Sequence, residues 1–589
     1  MLDLKITGGT IVDGSGAPGY RGDIGVKDGR IVAIGKVDED ARETLDATGK
    51  VVAPGFVDCH THYDAQVFWD PTLSPSCFHG VTTVMAGFCG FSIAPCSPEA
   101  AGYLMPMLAR VEGMPLKTLE IAVPWNWQSF GEYLSRIEGK IGLNAGFFAG
   151  HSAIRRVVMG ERAVGEKSTP DELAKMKALL GKSIAEGAMG FSTTISTTHN
   201  DGDGQPVPSR WAEKSEIVEM AGVVRDYPGT GIEIVPGIEF TDEVANLLAD
   251  MSVAGNRPVN WNVLAITGAE HDEANAEKQL NMSNVARAKG GEVVGLALPT
   301  TPEVFLTMRS GFFLDALPGT WREIFQIVPE DRVAKLKDPA YRKQMLADAE
   351  SVPTDAAMYV LGQFDKFVLS AANSAKFEKD EGRTVGEIAA EHGQHPFDMM
   401  LEISLAGDLD AVFVPGLSGW DHKTFELRSR IWHDDRILIG GSDGGAHLDL
   451  IDTFALATSL LQYGVREHEV ITLENAVRML TTRPATLFGL KERGALAEGY
   501  HADITIFDPK TVAKGKTYNR YDVPGDAFRV YAEAIGIDHV FVNGVQIVKN
   551  GEHTGALPGK VLKSGKDTAT VPLDALRAPK AEREPALQK

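Results

Sequence analysis

The stretch Pro54-Gly-Phe-Val-Asp-Cys-His-Thr-His62 follows the apolar residues Val51-Val-Ala53 and ends on two imidazoles spaced i and i+2. Residues two apart in a strand face the same side, so His60 and His62 are expected to project together from a strand's C-terminal end. Neutral imidazole is the commonest metal ligand, and two on one rigid strand are pre-positioned for a single ion. A solvent-exposed strand end would read the same way, so the rest of the chain has to decide. Far downstream, Gly440-Gly-Ser-Asp-Gly-Gly-Ala-His447 follows the apolar run Ile437-Leu-Ile439. An aspartate after a late strand is what a barrel site needs to complete a ligand set.

Working outward, strand-like and helix-like segments alternate, which implies parallel β/α architecture. Candidate strands are 55–60, 81–87, 143–149, 188–193, 231–236, 258–264, 292–298 and 436–442, the number a closed (β/α)8 TIM-like barrel requires, with its site at the C-terminal strand ends. Residues 2–52 instead read as short alternating runs with tight Gly-Gly and Asp-Gly turns, and that texture returns at 502–507 and 539–548. One small β-sandwich built from both chain ends, 1–53 and 485–564, is expected beside a catalytic barrel of 54–484. The stretch from about 300 to 430 is too long for one crossover and reads as an insertion. Its aromatics, Phe312, Phe313, Trp321, Phe325, Phe364 and Phe367, either line a pocket or, the favoured reading, pack the insertion's own core. Residues 565–589 are rich in Lys, Ala, Pro and Glu and are expected to be a mobile or draped tail.

The 589 residues carry 58 Lys plus Arg against 80 Asp plus Glu, a net charge of −22. Such a chain disfavours a nucleic-acid partner and attraction to anionic membranes. With 43% hydrophobic residues, 62 Gly and 30 Pro, it is a loop-rich globular α/β chain able to bury a large core. Four cysteines, at 59, 77, 89 and 96, do not make a disulfide framework. The N-terminus lacks a signal-peptide pattern and no stretch approaches 18 apolar residues, so a cytoplasmic location is expected.

The motifs resemble those of the amidohydrolase superfamily, and within it the D-aminoacylase (N-acyl-D-amino-acid deacylase) branch. They are Asp3-Leu-Lys-Ile-Thr-Gly-Gly-Thr-Ile-Val-Asp-Gly14, Ala53-Pro-Gly-Phe-Val-Asp-Cys-His-Thr-His-Tyr-Asp64, Gly80-Val-Thr-Thr-Val-Met-Ala-Gly-Phe-Cys-Gly90, Gly150-His-Ser152, Gly187-Ala-Met-Gly-Phe-Ser-Thr193, Ser442-Asp443 and Gly499-Tyr-His-Ala-Asp503. The resemblance implies that Asp443 contacts the metal and is the general base for the attacking water, and that Cys89 supplies a thiolate beside His60 and His62. Zn2+, as one or two ions, is the implied cofactor, with another divalent metal as the alternative. His151, after the third strand, has three open readings: metal ligand, electrophile toward the substrate carbonyl, or strand cap. Substrate contacts are expected from His199 and Arg210 on the loop after the fourth strand, from Arg155, and from His447.

Two departures stand out. The resembled deacylases end their fifth and sixth strands in metal-binding histidines, whereas this chain has Ile232-Glu-Ile-Val-Pro-Gly-Ile-Glu-Phe240 and Asn260-Trp-Asn-Val-Leu-Ala-Ile266. Glu239, Asn260 or Asn262 are the substitutes considered, all harder donors than imidazole. The basic residues that anchor the substrate's α-carboxylate in that branch are not evident either. The expectation is therefore a metal-dependent hydrolase of a C–N amide bond in a small acyl compound, acting as a homo-oligomer. A cyclic amide, carbamate or ester hydrolase, or a non-catalytic scaffold, is the alternative.

Overall fold

The computed structural model describes residues 1–577 except 312, 355 and 417; Phe312 and the last part of the expected tail lie outside the described residues. The barrel strands are Phe56–Asp58, Val81–Ala86, Asn144–Phe147 continued by Ala149–Gly150, Gly190–Thr194, Gly231–Val235, Val259–Leu264, Val293–Ala297 and Ile437–Ile439. Each pairs in parallel with the next. The ring closes through a parallel bridge between Thr61 and Gly444, and the Asp443 amide donates to the His60 carbonyl at 3.1 Å. Closure therefore joins the His-x-His and the late aspartate directly.

The crossovers carry helices for reasons visible locally. Pro170–Glu186 starts on a Thr169 cap reciprocated by Glu172, with Pro170 in its first turn, and buries Met176, Leu180 and Ile184. Those apolar residues recur every fourth position, one face of a helix.

Both chain ends build one nine-stranded sheet. Val51–Pro54 from the N-terminal part runs antiparallel to Ile504–Phe507 from the C-terminal part. This is the small β-domain expected from both chain ends, with a core of Leu4, Ile6, Ile24, Ile31, Val52, Ile504 and Phe541. The turn at Gly29 (φ +74°) meets the Asn543 carbonyl so closely that a methyl group would sit 2.7 Å from its oxygen. Val561–Leu562 leaves this sheet and pairs with the barrel's third strand. The described segment after it lies against the barrel: Thr568 donates to the Gly229 carbonyl at 2.6 Å and Arg577 pairs with Glu292 at 2.6 Å.

Residues 306–413 form a second hydrophobic core around Trp321, Phe325, Phe364, Phe367 and Phe397. Trp321 stacks on Phe364 at 5.7 Å and donates to the Met345 carbonyl, so these aromatics pack the insertion itself. Two of the anchors that hold the insertion to the barrel mouth come from its first part. The Phe305 amide donates to the Leu450 carbonyl at 2.6 Å, and Asp315 pairs with Arg110 at 2.5 Å.

Candidate metal centre

Alternation past the first strand turns Thr61 away, its hydroxyl and amide both donating to the Met85 carbonyl, and leaves His60 and His62 facing the barrel mouth. Cys89 enters from the loop after the second strand with φ +56°, and Asp443 from the loop after the eighth with φ +51°. Left-handed backbone at a non-glycine residue costs free energy that surrounding contacts must offset. For Cys89 the contact is Glu233, whose Oε2 accepts the Cys89 amide at 3.1 Å. The neighbouring Gly90 presses on the third strand at Gly150, where a methyl group would stand 2.6 Å from the Gly90 backbone; only glycine fits there.

One ligand atom from each of His60, His62 and Cys89 lies within 4.8 Å of the other two, and all three residues are buried. Cys89 Sγ is 3.5 Å from His60 Nε2 and 3.7 Å from His62 Nε2. Asp443 Oδ1 faces the same two nitrogens at 3.3 and 3.7 Å and has no hydrogen-bond partner, nor does Glu233 Oε1. Two imidazoles, a thiol and an unsatisfied carboxylate aimed at a common point are a donor set for a divalent cation such as Zn2+, so these residues fit the metal the resemblance implies.

The electrostatics agree. Burial, then Asp58, pushes the Asp443 carboxyl up to about 7. Burial, together with Asp443, also pushes Glu233 and Glu112 well above the usual carboxylate range. Burial and the neighbouring His199 and His447 hold His60 down at about 3. Among the described residues, the ion-pair partners of Asp443, Glu112 and Glu233 are histidines alone. Buried acids without a Lys or Arg are relieved by a bound cation, which reverses the local pKa logic.

The expected substrate contacts divide. Burial, His447 and Arg210 hold His199 at about 3, and its ring packs on Phe91 at 5.0 Å, so this loop lies beside the loop that carries Cys89. Arg210 is half-buried, its Nη1 donating to the His199 carbonyl at 2.9 Å and to Asn200 Oδ1 at 2.7 Å. His447 (φ +46°) sits 3.7 Å from Glu112, at the edge of the cluster.

His151 and Arg155 are placed in an ion-pair network around Glu216. His151 uses both ring nitrogens, 2.9 Å from Thr193 Oγ1 and 2.9 Å from Glu216 Oε1, while Arg155, fully buried, pairs with the same Glu216. Burial pushes the Glu216 carboxyl up, but His151 and Arg155 outweigh it and hold it at about 2. The helix His151–Met159 begins at this residue, and its ring is engaged by Thr193 and Glu216. Replacing His151 by asparagine is accordingly expected to cost stability, about 1–3 kcal/mol for disturbing a charged buried hydrogen bond. Metal content and kcat per folded chain hold at the wild-type value. A thermal melt beside elemental analysis checks this.

Two residues, Glu233 and Glu112, escaped the sequence reading of the site. Glu233 lies in the otherwise apolar fifth strand and faces His60 Nδ1 at 3.9 Å, whereas the glutamate considered there, Glu239, is exposed. Asn262, one of the substitutes considered on the sixth strand, brings its side-chain amide 3.4 Å from His60 Nε2. Asn260, its alternative, pairs in register with Glu233. Glu112 faces His62 Nδ1 at 3.5 Å from the end of the helix Pro98–Val111. An acid inside an apolar strand was a usable signal for Glu233. Nothing marked Glu112.

The chain is 28% identical over 578 residues to a D-aminoacylase of Alcaligenes xylosoxydans xylosoxydans, covering 95% of this chain and 97% of that one. Among solved structures, a D-aminoacylase described as defining a novel subset of amidohydrolases superposes with a TM-score of 0.64 at 26% identity, covering 96% of this chain and all of that one. The N-acyl-D-glutamate deacylase of Bordetella bronchiseptica, solved with zinc and a phosphonate mimic of the tetrahedral intermediate, gives 0.63 at 25% identity over the same 96% of this chain and all of its own. The amidohydrolase family pattern matches residues 43–548, which takes in the whole barrel and every residue of the cluster, and the chain belongs to the amidohydrolase family.

Proposed function

We propose that this protein is a metal-dependent hydrolase that cleaves the C–N amide bond of a small N-acyl compound, in the manner of an N-acyl-D-amino-acid deacylase. The observation that carries the reading is the convergence of His60, His62 and Cys89 within 4.8 Å with Asp443 Oδ1 at 3.3 Å from His60. His60, His62, Cys89 and Asp443 hold one Zn2+. When bound, the ion polarises the substrate carbonyl and makes water a nucleophile near neutral pH. Asp443 takes the proton of the attacking water and returns it to the leaving nitrogen. With Glu233 and Asn262 where the resemblance implies histidines, the reading is of a single ion, because carboxylate and amide oxygens are the poorer partners for Zn2+.

His199 and Arg210 are the substrate contacts in this reading. Arg210 is the cation on the loop beside the one that carries Cys89, and a guanidinium suits the free carboxylate of an N-acyl amino acid. Replacing Arg210 by alanine is expected to raise KM about 10- to 100-fold, the worth of a hydrogen bond to a charged group, with kcat nearly unchanged.

The test is metal content per chain for protein purified without added metal, followed by turnover of N-acyl-D- and N-acyl-L-amino acids. Close to one Zn per chain with amide turnover supports the reading. No metal, and none gained from Zn, Mn or Co, sinks it in favour of a scaffold. The reading includes a cytoplasmic location, supported by cysteines 59, 77, 89 and 96 all free and buried, as suits a reducing compartment. It also includes a homo-oligomer, which sedimentation of the purified chain checks. No helix among the described residues is long and apolar enough to cross a membrane.

A further inference from the structure

Glu112 is not on a barrel strand, yet it reaches the His62 ring from behind the cluster. It ends the helix Pro98–Val111, and its side chain is 3% exposed. Its two carboxylate oxygens face different imidazoles: Oε1 is 3.5 Å from His62 Nδ1 and Oε2 is 3.7 Å from His447 Nε2. Its backbone carbonyl accepts the His447 amide. The next residue, Gly113 (φ +58°), lies so close that a methyl group would stand 3.2 Å from the His447 Cα. Glu112 therefore grips the loop after Asp443 by both main chain and side chain. Two residues earlier, Arg110 pairs with Asp315 of the insertion, so the helix end is fixed from the far side as well.

We infer that Glu112 is a positioning residue that sets the His62 tautomer for metal binding and couples that ring to the loop following Asp443. An imidazole has one N–H and one lone pair when neutral. A carboxylate facing Nδ1 favours the proton there, which leaves the lone pair on Nε2, the nitrogen that faces Cys89 and Asp443. Glu233 does not duplicate this role, since one of its oxygens is already taken by the Cys89 amide and the other stands 3.9 Å from His60. The inference rests on the single-ion reading above and goes beyond it by naming what holds one ligand in its productive form.

The experiment compares wild type, Glu112→Gln and Glu112→Ala, each loaded with Co2+ as a spectroscopic probe. It records the visible ligand-field bands, the rate of metal release into a chelator, and the melting temperature of the metal-free protein. Removing a carboxylate behind a metal-bound histidine typically weakens metal binding about 10- to 100-fold. Glu112→Ala is expected at the upper end of that range with shifted Co2+ bands. Glu112→Gln, which keeps an acceptor but no charge, is expected nearer the lower end. Metal-free melting of Glu112→Gln stays close to wild type, which separates positioning from packing; if the alanine variant does not fold, the glutamine variant decides. Wild-type release and unchanged bands in Glu112→Gln would overturn the inference while leaving the single-ion reading standing. A wild type that takes up no ion would overturn both.

Discussion

Replacing Cys89 by alanine is expected to leave a folded protein that carries no zinc when purified without added metal and hydrolyses no amide. In the proposed site four protein ligands would share a zinc binding free energy that in small zinc sites is about 10–16 kcal/mol at neutral pH, so losing one removes roughly 3 kcal/mol, about 100-fold in affinity. The loss is larger still in practice, because the thiolate is the softest and strongest donor present. Folding is not the cause. The left-handed conformation at residue 89 (φ +56°) is imposed by the Cys89 amide on Glu233 and by the Gly90 and Gly150 contact, and alanine preserves all of these. A second signature follows from the same site. Burial, with Glu233, Glu112, Asp443 and Asp64, pushes the Cys89 thiol well above its ordinary range, so in the metal-free protein it is protonated at neutral pH. Metal binding must then expel that proton, and affinity rises with pH. In Cys89→Ala the rise is shallower by one proton. Titration with Zn2+ at several pH values, beside elemental analysis, measures both effects; a variant that keeps its zinc removes Cys89 from the ligand set.

What the sequence disclosed about this centre depended on how local each signal was. His60 and His62 are two residues apart, and the period of a strand alone places them together. Asp443 was legible as the end of a late strand, but its place beside His60 comes from the barrel closing through Thr61 and Gly444, which no local pattern encodes. Glu112 shows the limit most plainly, since it belongs to a helix end and meets His62 only through the packing of the loops after the second and eighth strands. His151 shows a limit of the opposite kind. Its position after the third strand is at the barrel mouth, as its spacing suggests, but the direction of its side chain is set by Thr193 and Glu216, one of them forty-two residues downstream. The sheet from both chain ends was visible in its turn chemistry. Its continuity was not, because alternation gives the faces of strands and not the order of their neighbours.

Asp443→Asn separates metal binding from proton transfer. The substitution is nearly isosteric, and His60, His62 and Cys89 remain, so about one ion per chain is retained, more weakly held. An amide can accept a hydrogen bond from water but cannot carry away its proton, and general base catalysis is worth about 10²- to 10⁴-fold. kcat is expected to fall by that factor in the metal-loaded variant. The pH profile supplies the decisive contrast. Burial and Asp58 raise the Asp443 carboxyl to about 7 in the metal-free protein, and a neighbouring cation lowers it again by favouring the charged form. Activity in wild type therefore rises with pH as Asp443 ionises and is lost as pH falls below its pKa, giving an acid limb that lies beneath 7. In Asp443→Asn no ionisation occurs at that position and the acid limb disappears from the residual activity. A variant retaining both near-wild-type kcat and the acid limb would assign the base to another group. Glu233 is then the next carboxylate to test, because its Oε1 is the other buried acid oxygen at the cluster without a hydrogen-bond partner.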